Sequence, residues 1–130
     1  MTMGTWTSEE LDRVGKAHEL ELASLRRDGT LRKAVTVWVV RHGDDLFVRS
    51  AYGLDVAWYR GTKARHAGRV RAGGVEKDVV FASTDPALND QIDAAYRGKY
   101  QRYGAQYLHT VLTDDARTST IRLVPSVTNT

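Results

Sequence analysis

The residues best suited to bind a ligand lie in one basic segment headed by two aromatic side chains. Trp58 and Tyr59 stand at its start, and the stretch from Arg60 to Arg71 contains five Lys or Arg residues, one histidine and no acidic residue. Arginine donates paired hydrogen bonds to phosphate, and a flat apolar side chain offers a wall for an isoalloxazine-like ring. A helix that begins near residues 55–58 would add backbone amides for the same anion. The segment therefore predicts a site for a ligand that carries a ring and a phosphate.

A structural interpretation of this segment stays open, in which Trp58 packs in the core and the basic residues form a solvated face. The charge distribution bears on both interpretations. Residues 26–71 carry eleven Lys or Arg against four Asp, whereas the remainder of the chain carries eight basic and twelve acidic residues. The net charge of +3 thus hides a basic middle, which would attract nucleic acid, a phosphate-bearing cofactor or an acidic small molecule.

Several kinds of catalytic chemistry find no support in the sequence. The chain has no cysteine, which excludes disulfides, thiolate catalysis and cysteine-ligated metals. The four histidines lack metal-ligand spacing, so no metal site is predicted. Ser50 lacks the Gly-x-Ser-x-Gly pattern of a nucleophile elbow, and no side chain stands out as a general acid or base. We therefore assign no catalytic residue from the sequence.

One predicted β-hairpin precedes this basic segment, and a second overlaps its end. Residues 34–41 are β-branched or aromatic at almost every position, which predicts one continuous strand covered on both faces. A turn at residues 42–45 leads from it into a second strand over residues 46–51. The Gly73–Gly74 turn joins the two strands of another hairpin, residues 68–83. Short hairpins of this kind favour a small antiparallel barrel.

The other elements place helices around those strands. Four tyrosines would share one helical face if the helix near residue 100 continued past Gly104, as a stripe packed on the barrel, a dimer contact or a ligand-stacking wall: Tyr96, Tyr100, Tyr103 and Tyr107. The sequence predicts an α+β fold, a small antiparallel β-barrel with flanking helices, in a single domain over residues 1–130. The further predicted elements are helices over residues 7–16, 55–66 (capped by Asp55), 85–100 and 101–112, strands over 19–25 and 118–124 (ended by Pro125), and a turn at Asp114–Asp115.

Four features of the middle of the chain resemble those of a known superfamily. Arg32 and Lys33 precede a strand, a small-residue patch occupies residues 49–53 (RSAYG), an Ala-Trp-Tyr helix start occupies residues 57–59, and a hairpin turns at Gly73–Gly74. Over about residues 28–82 the pattern resembles the deazaflavin-dependent nitroreductase-like branch of the FMN-binding split-barrel superfamily. The whole chain is more similar still to an uncharacterised bacterial family grouped with that superfamily.

The resemblance implies a split β-barrel of about six strands and a homodimer with cofactor sites at the subunit interface. It implies a flavin- or deazaflavin-binding oxidoreductase-like protein that acts on a small molecule. The cofactor, FMN or a deazaflavin, would carry the hydride chemistry while the protein positions it. The implied phosphate contacts are Arg32, Lys33, Arg49, Ser50 and the backbone around Trp58, Tyr59 and Arg60, with Thr36 and Trp38 lining one wall of the site.

The chain departs from the nitroreductase-like pattern at three places on the phosphate-binding elements. Gly61–Thr62 stands where an Asn-Leu pair is usual, His66–Ala67 stands where a proline precedes the next strand, and Lys33–Ala34 replaces a Thr-Gly step. These departures favour an alternative, a cofactor-free split barrel that binds a ligand or has a structural role.

Two other partner classes are less favoured. Nucleic-acid binding through residues 60–71 lacks the interleaved aromatic side chains that such a segment usually carries. The first residues show no basic-then-apolar leader, and no apolar run approaches the length of a membrane span. We therefore expect no membrane partner and a cytoplasmic location.

Overall fold

The computed structural model describes residues 2–127 and contains eight β-strands and five α-helices within them. The strands are β1 (Thr2–Met3), β2 (Leu20–Ser24), β3 (Val35–Val37), β4 (Val39–His42), β5 (Asp45–Val48), β6 (Ala67–Ala72), β7 (Val75–Ser83) and β8 (Ile121–Val127). The helices are α1 (Ser8–Lys16), α2 (Ala57–Arg65), α3 (Asn89–Tyr100), α4 (Ala105–His109) and α5 (Asp114–Thr118). Single 3₁₀ turns at Pro86–Leu88 and Gln101–Tyr103 flank α3.

One antiparallel sheet forms the framework, in the order β3-β2-β6-β7-β8-β5-β4, and β1 pairs with β8. Its two outermost strands, β3 and β4, are consecutive in the chain and are separated only by Trp38. Because one extended segment supplies both edges, the sheet must curl until those edges meet. The α+β fold and the small split barrel are therefore confirmed, with more strands than the six expected.

The prediction of one unbroken strand over residues 34–41 is wrong at Trp38. The part before Trp38 pairs with β2, where Val37 lies opposite Leu20, and the part after it pairs with β5, where Val39 lies opposite Val48. The chain changes pairing partner at this residue, so the hydrogen-bond ladder cannot continue through it. Coverage on both faces is confirmed for β4, where Val39 packs in the barrel interior and Val40 packs in a second, outer cluster, but it is wrong for β3, where Thr36 is exposed.

Helix α3 covers the break with polar side chains. The Tyr100 hydroxyl accepts a hydrogen bond from the Val39 N–H (3.1 Å) and lies 3.0 Å from the Val39 carbonyl oxygen and 2.9 Å from that of His18, each an acceptor for its proton. Lys99 Nζ donates to the Val39 carbonyl oxygen (2.6 Å). The Tyr100 ring also stacks on Trp38, with centroids 4.1 Å apart and planes 6° apart. Backbone groups at the break are thus paired although the strand is interrupted.

The predicted tyrosine stripe is therefore only partly continuous. Tyr96 and Tyr100 are fully buried in the outer cluster, and Tyr103 packs against it. Gly104 then adopts φ +98°, which ends the helical path, and Tyr107 on α4 is 58% exposed. The structure thus places the first three tyrosines on the barrel and separates the fourth from them.

Three smaller predictions are corrected by tertiary contacts. Val56, not Asp55, occupies the N-cap position of α2, and no side chain caps that helix. Pro125 does not end the last strand, because pairing with β7 and β1 carries β8 past it. Asp114 and Asp115 do not form a turn but begin α5, which Thr113 caps by accepting from the Ala116 N–H.

The polar cover of the strand break predicts a specific loss of stability for Tyr100→Phe. The substitution keeps the stacked ring but leaves the buried Val39 N–H without its acceptor, which costs about 1–3 kcal/mol of unfolding free energy. Urea unfolding measures it, with the exposed Tyr107→Phe as the matched control, expected to change stability by less than about 0.5 kcal/mol. Equal stability of the two variants would show that the break does not depend on this hydroxyl.

Lys99 gives the fold a predicted pH dependence. Burial lowers the pKa of the Lys99 ammonium to about 8, and burial raises the pKa values of the Tyr96 and Tyr100 phenols. From about pH 8 to about pH 10 the unfolded chain binds more protons than the folded one, so stability rises with pH. Above about pH 10 the unfolded tyrosines ionise first and stability falls again.

The expected rise is small, about 1 kcal/mol, because Lys99 is only half buried and solvent screens its charge. The measurement is urea unfolding at several pH values between about 7 and 11. Lys99→Met keeps the stem and removes the charge, and this variant should lose the rise. A stability that is flat for both proteins would contradict the argument.

Candidate functional site

A cleft of about 280 Å³ opens where β3, the loop after β5, the start of α2 and helix α4 meet. Trp38 and Trp58 supply two indoles to its lining, and Tyr52 and Tyr107 supply two phenols. The two tyrosines are the most exposed aromatic side chains among the described residues, at 83% and 58%. The cleft therefore has aromatic walls whose outer part is open to solvent. Its remaining lining is Glu19, Thr36, Val37, Arg49, Ala51, Thr110 and Val111.

Trp38 and Trp58 are held differently in these walls. Tyr100 covers one face of the Trp38 indole by stacking, so helix α3 fixes the orientation of this wall. Trp58 packs partly against the barrel interior and meets the Tyr59 ring edge-on at 6.1 Å. Both indoles are rigidly backed, and each still lines the cleft.

Arg49 lies at the inner end of the cleft, but its guanidinium is closed inside the protein. Nε donates to Thr120 Oγ1 (2.8 Å), Nη1 donates to the Asp93 carboxylate and the Val111 carbonyl oxygen (2.9 Å), and Nη2 donates to Asn89 O and Oδ1 (both 3.3 Å). These contacts occupy all five N–H donors that a guanidinium possesses. The side chain is 0% exposed. No donor of Arg49 is left for a ligand phosphate in this arrangement.

Arg49 instead ties separate elements together. Asp93 and Asn89 belong to α3, Val111 follows α4, and Thr120 precedes β8. The second carboxylate oxygen of Asp93 also lies 3.5 Å from Nε of Arg117 on α5. One buried cation therefore links α3 to the segment after α4, which contributes Thr110 and Val111 to the lining of the cleft.

The basic residues predicted to attract an anion differ in their partners, and Arg65 donates to the backbone carbonyl oxygens of Arg26 and Arg27 (both 2.9 Å). Those on β6 are neutralised across the sheet, where Arg69 pairs with Asp78 (2.9 Å) and Glu76 (2.8 Å) and Arg71 pairs with Glu21. In contrast, the side chains of Arg32, Lys33 and Arg60 are exposed and make no hydrogen bond or ion pair with any described residue.

Arg32 approaches helix α2 closely. A side chain at Gly61 would place its Cβ 3.2 Å from Arg32 Nε and 2.4 Å from Ser24 Oγ, so glycine is what allows this contact. Arg60 is the residue directly before Gly61 in the helix, and Lys63 Nζ lies 5.5 Å from the Tyr59 ring centroid on the same helix. Arg32, Arg60 and Lys63 thus place positive charge on or beside α2 that no carboxylate of the described residues pairs with.

The structure brings together four of the predicted site residues at the cleft: Thr36, Trp38, Arg49 and Trp58. Arg32, Lys33 and Arg60 lie outside its lining, on the surface. Ser50 is buried and donates to the Gly53 carbonyl oxygen (2.6 Å), and Tyr59 is buried in the barrel interior. These two residues support the loop and the helix beside the cleft.

Among the cleft residues that were not predicted as site residues, three carry an aromatic ring or a charge. Tyr52 lies inside the small-residue patch, and Tyr107 belongs to the tyrosine stripe, so each had a signal in the sequence. Glu19 had none, because the strand over residues 19–25 alternates too weakly to show which side chains face a cavity.

Two features are absent from residues 2–127. No group of three histidine or carboxylate side chains there is placed to hold a metal ion. No helix in the same part of the chain is long and apolar enough to cross a membrane.

The chain matches a known protein family over most of its length. Residues 10–123 match the family described as an uncharacterized protein conserved in bacteria (DUF2255), and the chain belongs to that family. A search of the curated proteins finds no match.

Solved structures share the fold at low sequence identity. An F420-H2 dependent reductase (FDR-A) is 19% identical with a TM-score of 0.60, over 82% of this chain and 93% of the other. HutZ, the heme storage protein from Vibrio cholerae, is 14% identical with a TM-score of 0.62, over 96% and 93%. A FAD-binding protein from Mesorhizobium loti is 15% identical with a TM-score of 0.52, over 98% and 95%. At these identities the likeness establishes the fold, and the resemblance to the split-barrel superfamily is confirmed.

The closed Arg49 network predicts a large stability effect at a residue that the sequence assigned to ligand binding. Arg49→Met leaves the buried Asp93 carboxylate without its main partner and should cost about 3–5 kcal/mol of unfolding free energy. Arg69→Met, which breaks an exposed pair on β6, is the matched control, with an expected cost of about 1 kcal/mol or less. Chemical denaturation measures both. If the Arg49 variant were as stable as the control, the internal network would not be the main role of Arg49, and a contact with a ligand would again be the favoured interpretation.

Proposed function

We propose that this protein binds a flavin or deazaflavin in the aromatic cleft and serves as an oxidoreductase-like protein for an unidentified small molecule. The single observation that supports this most is the combination of the two rigid indoles, Trp38 and Trp58, with unpaired cations around the helix that carries Trp58. An isoalloxazine-type ring needs a flat apolar wall, and its phosphate needs accessible positive charge. The fold is one that F420-, FAD- and heme-named proteins also use.

The residues present fit such a cofactor in part. Small-molecule sites usually enclose about 300–1,000 Å³, and the cleft holds about 280 Å³, which suits a ring system better than a complete nucleotide. The ring would lie against Trp38 and Trp58, beside Thr36. The phosphate would lie outside the cleft, near Arg32, Lys33 or Arg60. When bound, the cofactor supplies hydride transfer, and the chain supplies the walls, the orientation and the exclusion of water.

We also propose a homodimer with the sites at the subunit interface. Tyr52 and Tyr107 stand exposed at the mouth of the cleft, where a second copy could cover them. Aromatic side chains are enriched at such interfaces. A partner over the mouth would complete a cleft that one chain leaves open.

A second candidate is a cofactor-free barrel that binds a small molecule. Arg49 favours it, because the residue expected to contact phosphate uses all its donors internally. The departures at Gly61–Thr62 and Lys33–Ala34 lie on the same expected phosphate-binding elements. Fold alone does not decide between the two candidates.

The proposal predicts measurable cofactor binding that depends on the unpaired cations. The fluorescence of FMN and of F420 should be quenched when purified protein is added, and both cofactors should bind with dissociation constants in the micromolar range. The double variant Arg32→Gln/Arg60→Gln should bind FMN roughly three- to tenfold more weakly, because each exposed arginine contributes modestly to the affinity for a phosphate. Riboflavin, which lacks the phosphate, should bind the variant and the unaltered protein equally.

Arg69→Gln is the control, because that arginine is already paired with Asp78 and Glu76. It should leave FMN affinity unchanged. A protein that binds neither FMN nor F420, with its fold verified by circular dichroism, would overturn the proposal in favour of the cofactor-free candidate. An equal loss for FMN and riboflavin in the double variant would show that the two arginines do not bind the phosphate.

A further inference from the structure

Glu19 is the charged side chain of the cleft that has no strong internal partner. Arg49 is the other charged residue in its lining, and the Asp93 carboxylate matches that charge inside the protein. Glu19 makes one ionic approach among the described residues, in which its Oε1 lies 3.4 Å from Nε2 of His18, and its side chain is 49% exposed. The cleft therefore presents one accessible negative charge among aromatic rings.

A second cavity of about 390 Å³ meets the cleft at Glu19 and Thr36, which line both. Other carboxylates also border this second cavity, but arginines neutralise them. Glu21 pairs with Arg71, and Glu76 pairs with Arg69. Glu19 thus stands at the junction of the two spaces as their one glutamate without an arginine or lysine partner among the described residues.

We infer that the Glu19 end of the cleft binds a positively charged nitrogen of the substrate, an organic amine or quaternary ammonium. Aromatic faces carry negative electrostatic potential and attract cations, most strongly at tryptophan. A ligand that closes over Glu19 removes water from the carboxylate, and a cation compensates that loss whereas a neutral or anionic group does not. This inference rests on the proposed function, because it names the class of substrate for the same site.

The charge layout is consistent with two ligands in neighbouring positions. Arg32 lies beside α2 and Arg60 lies on it, in the helix that carries Trp58, whereas Glu19 precedes β2 and also lines the second cavity. An anionic cofactor and a cationic substrate would each meet the charge opposite to their own. The two spaces together offer more room than a ring system alone requires.

The test uses cofactor-free protein and a matched pair of probes, choline and its neutral isostere 3,3-dimethylbutan-1-ol. Both are titrated against the protein in the same buffer. Tryptophan fluorescence reports binding, because Trp38 and Trp58 line the cleft whereas Trp6 is buried with its Nε1 bonded to the Leu123 carbonyl oxygen. Choline should bind roughly tenfold more tightly than the isostere.

Two variants separate the carboxylate from the aromatic walls. Glu19→Gln should bind choline about fivefold more weakly, because an exposed carboxylate contributes modestly to the affinity for a cation. Its affinity for the neutral isostere should be unchanged. Tyr107→Ala should weaken the binding of both probes, because it removes an aromatic ring from the lining of the cleft. Glu9→Gln, an exposed glutamate on α1, is the control and should change neither.

Equal affinity of the unaltered protein for the two probes, no binding of choline at all, or a preference for choline that is as large in Glu19→Gln as in the unaltered protein would each overturn the inference. Failure here is distinguishable from failure of the proposed function. The titration with choline and its isostere contains no cofactor, and the titration with FMN or F420 contains no choline. A protein that binds FMN but shows no preference for choline would retain the proposed function and lose this substrate class.

Discussion

The structure depends on how the chain crosses from one edge of its sheet to the other at Trp38. Two short strands that follow each other in sequence lie at opposite ends of a seven-strand path, so their shared junction closes the barrel. The junction interrupts the hydrogen-bond ladder, and Tyr100 and Lys99 of α3 supply the missing partners to Val39. Buried backbone groups must be paired, so the barrel cannot close in this way without that helix.

The same helix also determines the shape of the cleft. Tyr100 stacks on Trp38 and fixes one aromatic wall, while Asn89 and Asp93 bind Arg49, which holds the segments around α4 and α5. Closure of the barrel and construction of the cleft are therefore parts of one arrangement. A substitution in α3 would be expected to affect stability and ligand binding together, because the contacts are shared.

Separation of charge is the second organising feature. The arginines of β6 are paired with carboxylates across the sheet, whereas Arg32 and Arg60 at α2 have no carboxylate partner among the described residues. At the other end of the cleft, His18 is the one ionic neighbour that Glu19 has among those residues. The net charge of the chain does not reveal this separation, because it counts paired and unpaired arginines alike, although a paired arginine attracts a ligand only weakly. The polarity of the cleft is a more informative quantity than the excess of basic residues in the middle of the chain.

The sequence by itself determined the local elements: both hairpins, the amphipathic stripe of α3, the basic middle and the resemblance that indicated a split barrel. Alternation, turn glycines and capping residues act over a few neighbours, so they can be recognised without the fold. Tertiary structure alone decided that the strand breaks at Trp38, that Arg49 is enclosed, and that Glu19 and Tyr107 meet at one cleft. These outcomes depend on partners 40 or more residues away, such as Asp93 for Arg49 and Tyr100 for Val39. No local pattern of residue types specifies which distant group will occupy a donor or cover a strand edge.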